Sequence, residues 1–450
     1  MEKMAQISSD CNCASMSDTL SDLQRYVERA ALEGTAAHDV EAGLWRRVLQ
    51  LGQQAMQLFF TLVGPGDVGE SVVLSEGHEV RRLETRHPRV YQSVFGRFEL
   101  ERVVYGSREG QKIAYVPFDT QLQLPESEFS YLLQDWSQGL AVEHAYRRVP
   151  ETLGRILGVE PSVDSLERIN QKMAATVRPF RDSRPSPEPD TEGALCVVSA
   201  DGKGIPIRRP VSEAPIQSHD REQAPKTNRK KMAVVGTVYT IDPFVRSPEE
   251  VAASLFRDPD DDPLLAERPL PQHKRLWASL PQERDGATVS ATDETFEWLA
   301  QEVARRNPGA HKSTVLLMDG QKSLWETAQR DLPQLRGKKR ERLSKLCGYL
   351  QNNAHRMRYD EYLTLGYPIA SGVIEGACRH FVKDRMERSG MRWTINSAQA
   401  MLDVRSTYLN GDWDTFMRYR IESETQRLYP YRERVEPIEE IEKTGLLIAA

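Results

Sequence analysis

Residues Ala194–Arg209 read ALCVVSADGKGIPIRR, and the fold turns on how they are read. Leu195–Val198 is a short apolar run rich in β-branched side chains, the pattern of a buried strand. The run is expected to stop at Asp201, where Gly202 and Gly204 permit a tight turn. An acid at the end of a buried strand stands at the rim of a core and faces a cleft. Two roles fit it. An Asp-Gly pair can simply cap a turn, or the carboxylate can bind a metal. The segment alone leaves both open.

Two later stretches supply partners for Asp201. Ser313–Met318, STVLLM, is a second apolar run that ends in Asp319-Gly320, and QKSLWETAQRDL after it reads as an amphipathic helix. Two strands ending in Asp put carboxylates side by side at the C-terminal edge of one sheet, where ligand sites of open α/β sheets lie. The third stretch is Gly366–Trp393, GYPIASGVIEGACRHFVKDRMERSGMRW. Ser371 can cap a helix that carries Glu375, Arg379, Lys383 and Glu387 at four-residue spacing, hence on one face. In one reading that face is a solvated ladder of salt bridges. In the other, Glu375 sits among Gly372, Val373, Ile374, Gly376 and Ala377, on a helix able to pack closely on a sheet with its acid toward the two aspartates. Three carboxylates suit a hard oxygen-seeking cation such as magnesium. Two such ions roughly 4 Å apart activate a water and stabilise the leaving oxygen of a phosphodiester.

The segments VVSADGKGIPIRR (197–209), LLMDGQKSLW (316–325) and, above all, the long run from Gly366 to Trp413 resemble the transposases of the Kra-type bacterial insertion sequences. These are DDE enzymes distantly similar to the Mutator type. The resemblance runs from about Tyr91 to Tyr429 and implies an α/β fold with a ribonuclease-H-like catalytic core of mixed sheet. It places the acids at Asp201, Asp319 and Glu375, holding two Mg2+ ions for which Mn2+ can substitute. The implied reaction cuts the element's ends and joins them to target DNA. A water, then a DNA 3′-hydroxyl, attacks phosphorus in line, with no covalent protein intermediate. The implied partners are terminal inverted repeats, target DNA and further copies of the chain assembled on DNA.

Composition fits that expectation without proving it. The chain has 450 residues, 39% of them hydrophobic and 28% charged, enough for two or three domains and a sizeable core. No apolar run approaches the length that spans a bilayer, and residues 1–20 lack a basic segment before an apolar one, so no signal peptide is expected. The location expected is cytoplasmic and nucleoid-associated. Cys11, Cys13, Cys196, Cys347 and Cys378 show no paired zinc spacing and read as reduced thiols. A net charge of −6 does not advertise a DNA-binding protein, yet the charge is clustered. Basic groups gather at Arg208-Arg209, Lys226–Lys231, Arg336–Arg342 and Arg379–Arg392. Within or beside these clusters, Lys203, Arg208, Arg379, Lys383, Arg388 and Arg392 are candidate phosphate contacts. Solvated basic helix faces would give the same pattern.

Elsewhere the reading is organisational. Residues 18–63 are helical and end at Gly64-Pro65-Gly66, and Val90–Val116 alternates as one or two hairpins. A short helix over Pro150–Leu157, a turn at Gly158 and a helix over Val163–Met173 capped by Ser162 make a helix-turn-helix. Its second helix offers Ser165, Arg168, Asn170, Gln171 and Lys172 to bases or phosphates. An ordinary αα-hairpin is the alternative. The expected organisation is a mainly helical N-terminal DNA-binding region with a small β-hairpin element: 1–88 helical, 89–180 hairpin plus helix-turn-helix. A Pro-rich linker follows at 181–191, then the catalytic core at 192–420 and a tail at 421–450. Met232–Ile241 reads as a strand, Pro243–Ala291 as a long excursion, Asp293–Arg306 as a helix and Lys338–Tyr362 as another. The aromatic residues from Trp413 onward read as packing. The family's Asp-x-x-His pattern and helical insertion after the second acid are missing here, as after an internal deletion. A copy so shortened would bind element ends without turning over.

Overall fold

The computed structural model describes residues 2–74, 77–108, 110, 113–208, 229–247, 249–251, 268–284, 286–318, 358–388 and 390–430. Asp319, the helix expected after it, Arg209 and most of the expected Lys338–Tyr362 helix lie outside these. Two compact units emerge, one made of residues 1–169 with 417–450 and the other of 170–416.

The first unit begins with the expected helices, α1 (Glu2–Glu33) and α2 (Ala37–Val63), which pair as a hairpin. Gly34 and Gly64 end them at φ of +64° and +71°, a region open to glycine at no steric cost. Two short strands that the sequence did not suggest follow, β1 (Ser71–Val73) and β2 (Glu79–Arg82). The hairpin expected after Val90 forms from β3 (His87–Ser93) and β4 (Gly96–Arg102), in register from His87↔Arg102 to Ser93↔Gly96. β5 (Tyr105–Gly106) completes a small sheet with β2 and β1. Phe60 of α2 meets Phe98 and Tyr91 edge-on, and Phe118 from α3 (Pro117–Leu122) joins the cluster. α4 (Tyr131–Glu143) and α5 (Arg148–Leu157) lead to α6 (Val163–Ser183). Gly158 ends α5 at φ 72°, and Ser162 Oγ accepts the Ser165 N–H at 3.1 Å, as the sequence predicts. α6 does not stop at Met173, however. It runs through Pro179 to Ser183.

In the second unit Leu195–Val198 does form a buried strand, but the strand does not stop at Asp201. β6 (Leu195–Ile207) continues through the Asp-Gly-Lys-Gly segment, and β7 (Arg229–Ile241) pairs with it antiparallel along its whole length, Leu195↔Ile241 to Ile207↔Arg229. Neither Gly202 nor Gly204 has a positive φ. A glycine in a strand costs roughly 0.5–1 kcal/mol of chain entropy. A continuous ladder to β7 outweighs two such costs. β8 (Gln272–Ser279) pairs antiparallel with β7, so the expected excursion contributes a core strand, followed by a small hairpin of β9 (Gln282–Arg284) and β10 (Ala287–Val289). α7 (Ala291–Arg306) then crosses to β11 (Ser313–Leu316), which lies parallel to β6 on its other side. The order is β11-β6-β7-β8, a mixed sheet.

Alternation along β6 sorts its side chains between two layers. Cys196, Val198 and Ala200 pack with Phe296, Trp298, Leu299 and Val303 of α7. Gly236 of β7 lies against that helix so closely that a Cβ would stand 2.8 Å from Thr295 Cγ2. Val197, Ser199, Asp201 and Lys203 take the opposite face. After a short helix α8 (Tyr359–Thr364), the consecutive segments Gly372–Ala377, Cys378–Lys383 and Asp384–Met386 form one helix, α9, which contacts β6 and β7. α10 (Ile395–Leu409) packs on β8, and α11 (Trp413–Leu428) follows. Phe416 is fully buried and stacks edge-on with Phe180, the packing role expected of the late aromatics.

Candidate active site

Asp201 stands in a notch of the sheet. The ladder between β11 and β6 ends at Leu316↔Val198. Leu317 N–H still donates to Val198 O at 2.9 Å, and Ser199 Oγ donates to Leu317 O. Further along, the outer edge of β6 is met again only where Trp393 bridges Ile207, with Trp393 N–H donating to Pro206 O at 3.1 Å and Arg208 N–H to Trp393 O at 2.7 Å. Between these two contacts no strand covers the outer edge of β6 among the described residues. Asp201 is half-buried in this interval, with Oδ1 accepting the Gly202 N–H at 2.7 Å. β11 points at the same notch, and its chain passes Met318 into Asp319, which lies outside the described residues.

Glu375 sits in the first turn of α9, exposed, on the helix that contacts β6 and β7. Ser371 occupies the N-cap position, but its hydroxyl donates to Glu375 Oε1 and caps no backbone N–H. The expected single face of Glu375, Arg379, Lys383 and Glu387 is not kept. Cys378–Lys383 is a π-helical segment in which the Asp384 N–H reaches back five residues to Arg379 O. One extra residue in a turn swings everything beyond it by roughly 100°. Arg379 and Lys383 remain exposed, while Glu387 turns toward the sheet.

There Glu387 gathers charge. Its carboxylate accepts Lys230 Nζ of β7 and lies 3.7 Å from Lys203 Nζ of β6, two residues beyond Asp201 on the same face. Partial burial would raise its pKa, yet Lys230, Lys203 and Lys383 together hold it below the usual carboxylate range. Lys230 reaches Glu387 across Gly204, where a Cβ would stand 3.0 Å from Lys230 Cδ. The sequence marks Lys203 as a phosphate contact. The part of Lys230 and Glu387 was not legible, because it depends on how β6, β7 and α9 meet.

The other basic candidates fall in two places. The parallel bridge of Trp393 to Ile207 sets Arg208 and Arg392 on the two bridged segments within a residue of the bridge, and both side chains are exposed, as is Arg388, whose Nε donates to Asp384 O at 2.6 Å. Arg168 and Lys172 are exposed on α6, Arg168 donating to Ser165 Oγ at 3.2 Å. Ser165 and Asn170 of the same helix are buried and are removed from the list of groups able to reach a base. Cys196 and Cys378 are buried, and burial pushes the Cys196 thiol up to about 11, so it is no nucleophile.

The donor chemistry of Asp201 and Glu375 fits magnesium, since both offer carboxylate oxygens at the margin of the core. Among the described residues no group of three His, Cys, Asp or Glu is gathered closely enough to hold a metal ion, and Asp319 lies outside that set. No helix there is long and apolar enough to cross a membrane. A scan against protein-family models and a search of curated proteins return no match to this chain.

Proposed function

We propose that the chain is a DDE transposase of the Kra type, acting on DNA ends through Asp201, Asp319 and Glu375. One observation carries the reading. Asp201 stands in a gap of the sheet edge, beside the end of the parallel strand that leads into Asp319, on a strand that the helix of Glu375 contacts. Three antiparallel strands, a helix, and a fourth strand parallel to the first and beside it agree with a ribonuclease-H-like core. Magnesium bound by these carboxylates would supply Lewis-acid activation of the attacking oxygen and the scissile phosphate. The chain's own residues do the rest. Lys203, held at 3.7 Å from Glu387, presents positive charge one alternate position past Asp201, where the phosphate next to the scissile one would lie. Exposed Arg208, Arg388 and Arg392 extend that field along the backbone of the bound strand.

A second reading is favoured by the absent Asp-x-x-His pattern and by the outer side of β11, which no strand covers among the described residues. In it the chain binds element ends and nicks them weakly or not at all, and does not transfer strands. Asp201→Asn tests the primary reading. The variant should lose metal-dependent nicking of an element-end duplex while keeping its fold and its affinity for that duplex. Undiminished nicking removes Asp201 from the site. Binding without nicking by the unaltered chain selects the second reading.

A further inference from the structure

The π segment of α9 has a visible partner. Arg405 of α10 is 3% exposed, and its guanidinium donates from Nε to Phe381 O at 3.0 Å and from Nη2 to His380 O at 2.7 Å. Both carbonyls belong to the widened turn, and carbonyls of an α-helix interior are normally committed to the N–H four residues on. Side chains that enter this ladder are a standing cause of helix distortion. Arg405 therefore sits where the extra residue of the turn is accommodated. We propose that Arg405 is a positioning residue: by holding the His380 and Phe381 carbonyls it fixes the π turn, and the π turn sets the rotation between Glu375 before it and Glu387 after it.

The consequence is geometric. Upstream of the turn the helix presents Glu375, with Ile374 and Ala377 buried. Downstream, Phe381, Val382 and Met386 are buried, and Glu387 meets Lys203 and Lys230. Were the helix to relax to a regular one, everything beyond the turn would rotate by roughly 100°. On a helix about 10–12 Å across, that carries a side-chain tip several ångströms around the axis. Glu387 would leave the two lysines, and the acid of the first half and the phosphate-facing charges of the second would lose their common setting. That last clause rests on the function proposed above. The rotational coupling itself does not.

A deletion separates register from mere stability. Arg405→Met leaves the two carbonyls free to rejoin an α ladder. Removing the exposed His380 in the same chain takes out one residue, so a continuous α-helix then brings Glu387 back to its original direction. The readout is zero-length carbodiimide cross-linking of Glu387 to Lys203 or Lys230 in the full chain, mapped by mass spectrometry, with circular dichroism to confirm folding. The unaltered protein should give the cross-link, Arg405→Met should lose it, and Arg405→Met with His380 deleted should regain it. Retention of the cross-link in Arg405→Met overturns the proposal. So does a double variant that fails to regain it, or that unfolds where Arg405→Met alone stays folded, because a continuous helix of matched register has no cause to fit worse. Nicking of end DNA is measured alongside. If the cross-links follow this order and none of the proteins nicks, the coupling stands and the catalytic reading falls.

Discussion

Asp403 is a half-buried carboxylate of α10 beside the core, accepting Trp277 Nε1–H at 3.1 Å and Gln399 Nε2–H at 3.0 Å through one oxygen, Oδ1. Burial raises its pKa from the ordinary aspartate range to about 6, against the opposing pull of those two donors and of Arg181. A raised folded pKa means that the fold prefers the protonated acid. Its contribution to stability is complete below the unfolded pKa near 4 and is lost as pH rises through about 6. A shift of about two pH units corresponds to roughly 3 kcal/mol between pH 4 and pH 7. Asp403→Asn keeps an oxygen for both donors and removes the titration. Between pH 5 and pH 8 the unaltered chain should therefore lose more melting temperature than the variant. Equal pH profiles would show that Asp403 is already neutralised by a partner. No such burial was legible in the sequence, where Asp403 reads as one more polar position of a helix. Asp201 was misplaced as a structural group, expected at a strand end and found inside a strand. A strand-ending Asp-Gly was the local preference, and thirteen paired residues of β7 overrode it.

Among the elements, β8 shows what composition can hide. The run Leu276–Ala278 is apolar, but Asp, Pro and Glu on its N-terminal side made the whole region read as an excursion. In the fold it is an edge strand, and edge strands need covering. Two carboxamides of α10 and its C-terminus provide the cover. Asn410 accepts Leu276 N–H at 2.8 Å and donates to Leu276 O at 3.0 Å, and Gln399 treats Leu280 N–H and Ala278 O in the same way. Each amide bonds the strand as a neighbouring backbone would. Asn410→Ala strands the buried polar groups of Leu276, each worth about 1–3 kcal/mol when unmet. A fall in unfolding free energy of about 2 kcal/mol or more is expected from denaturant titration. A change under about 0.5 kcal/mol, the size of an ordinary surface substitution, would mean that water serves the edge equally well. The π turn of α9 was not legible for a related reason. Four-residue spacing is a property of α9's own sequence, and what breaks it is a buried Arg405 from another helix.

At the scale of the whole molecule, the pair of helices around Gly158 in the N-terminal half was legible because caps and turn glycines are local signals. The unit that contains it was not, because it is closed by a segment far along the chain. Residues 417–430 belong with residues 1–169. Arg420, 2% exposed, donates to Gln134 Oε1 at 2.7 Å, Glu424 accepts the Glu126 N–H at 2.9 Å, and Tyr429 donates to Leu124 O at 2.5 Å. A fragment cut at residue 180 keeps every residue of the helix-turn-helix and loses all three of these partners. It leaves Gln134, 1% exposed, without that donor, and uncovers the apolar surface beneath α11. Losses of about 1–3 kcal/mol per stranded buried group are set against a total of about 5–15 kcal/mol for a domain of this size. The fragment 1–180 should therefore melt early and with poor cooperativity. A fusion of residues 1–169 to 417–430 through a flexible linker should recover a sharp transition. Hydrogen exchange at α4 and α5 checks the point directly, since their amides should be protected in the fusion and open in the fragment. Equal protection in both would make the returning segment a passenger and move the boundary of the unit to residue 169. If the fusion is protected and the fragment is not, DNA binding assigned to Arg168 and Lys172 has to be measured on the full chain, since the N-terminal part of the fusion ends before Lys172. Weak binding by the short fragment would then report unfolding, and the helix-turn-helix would remain to be judged.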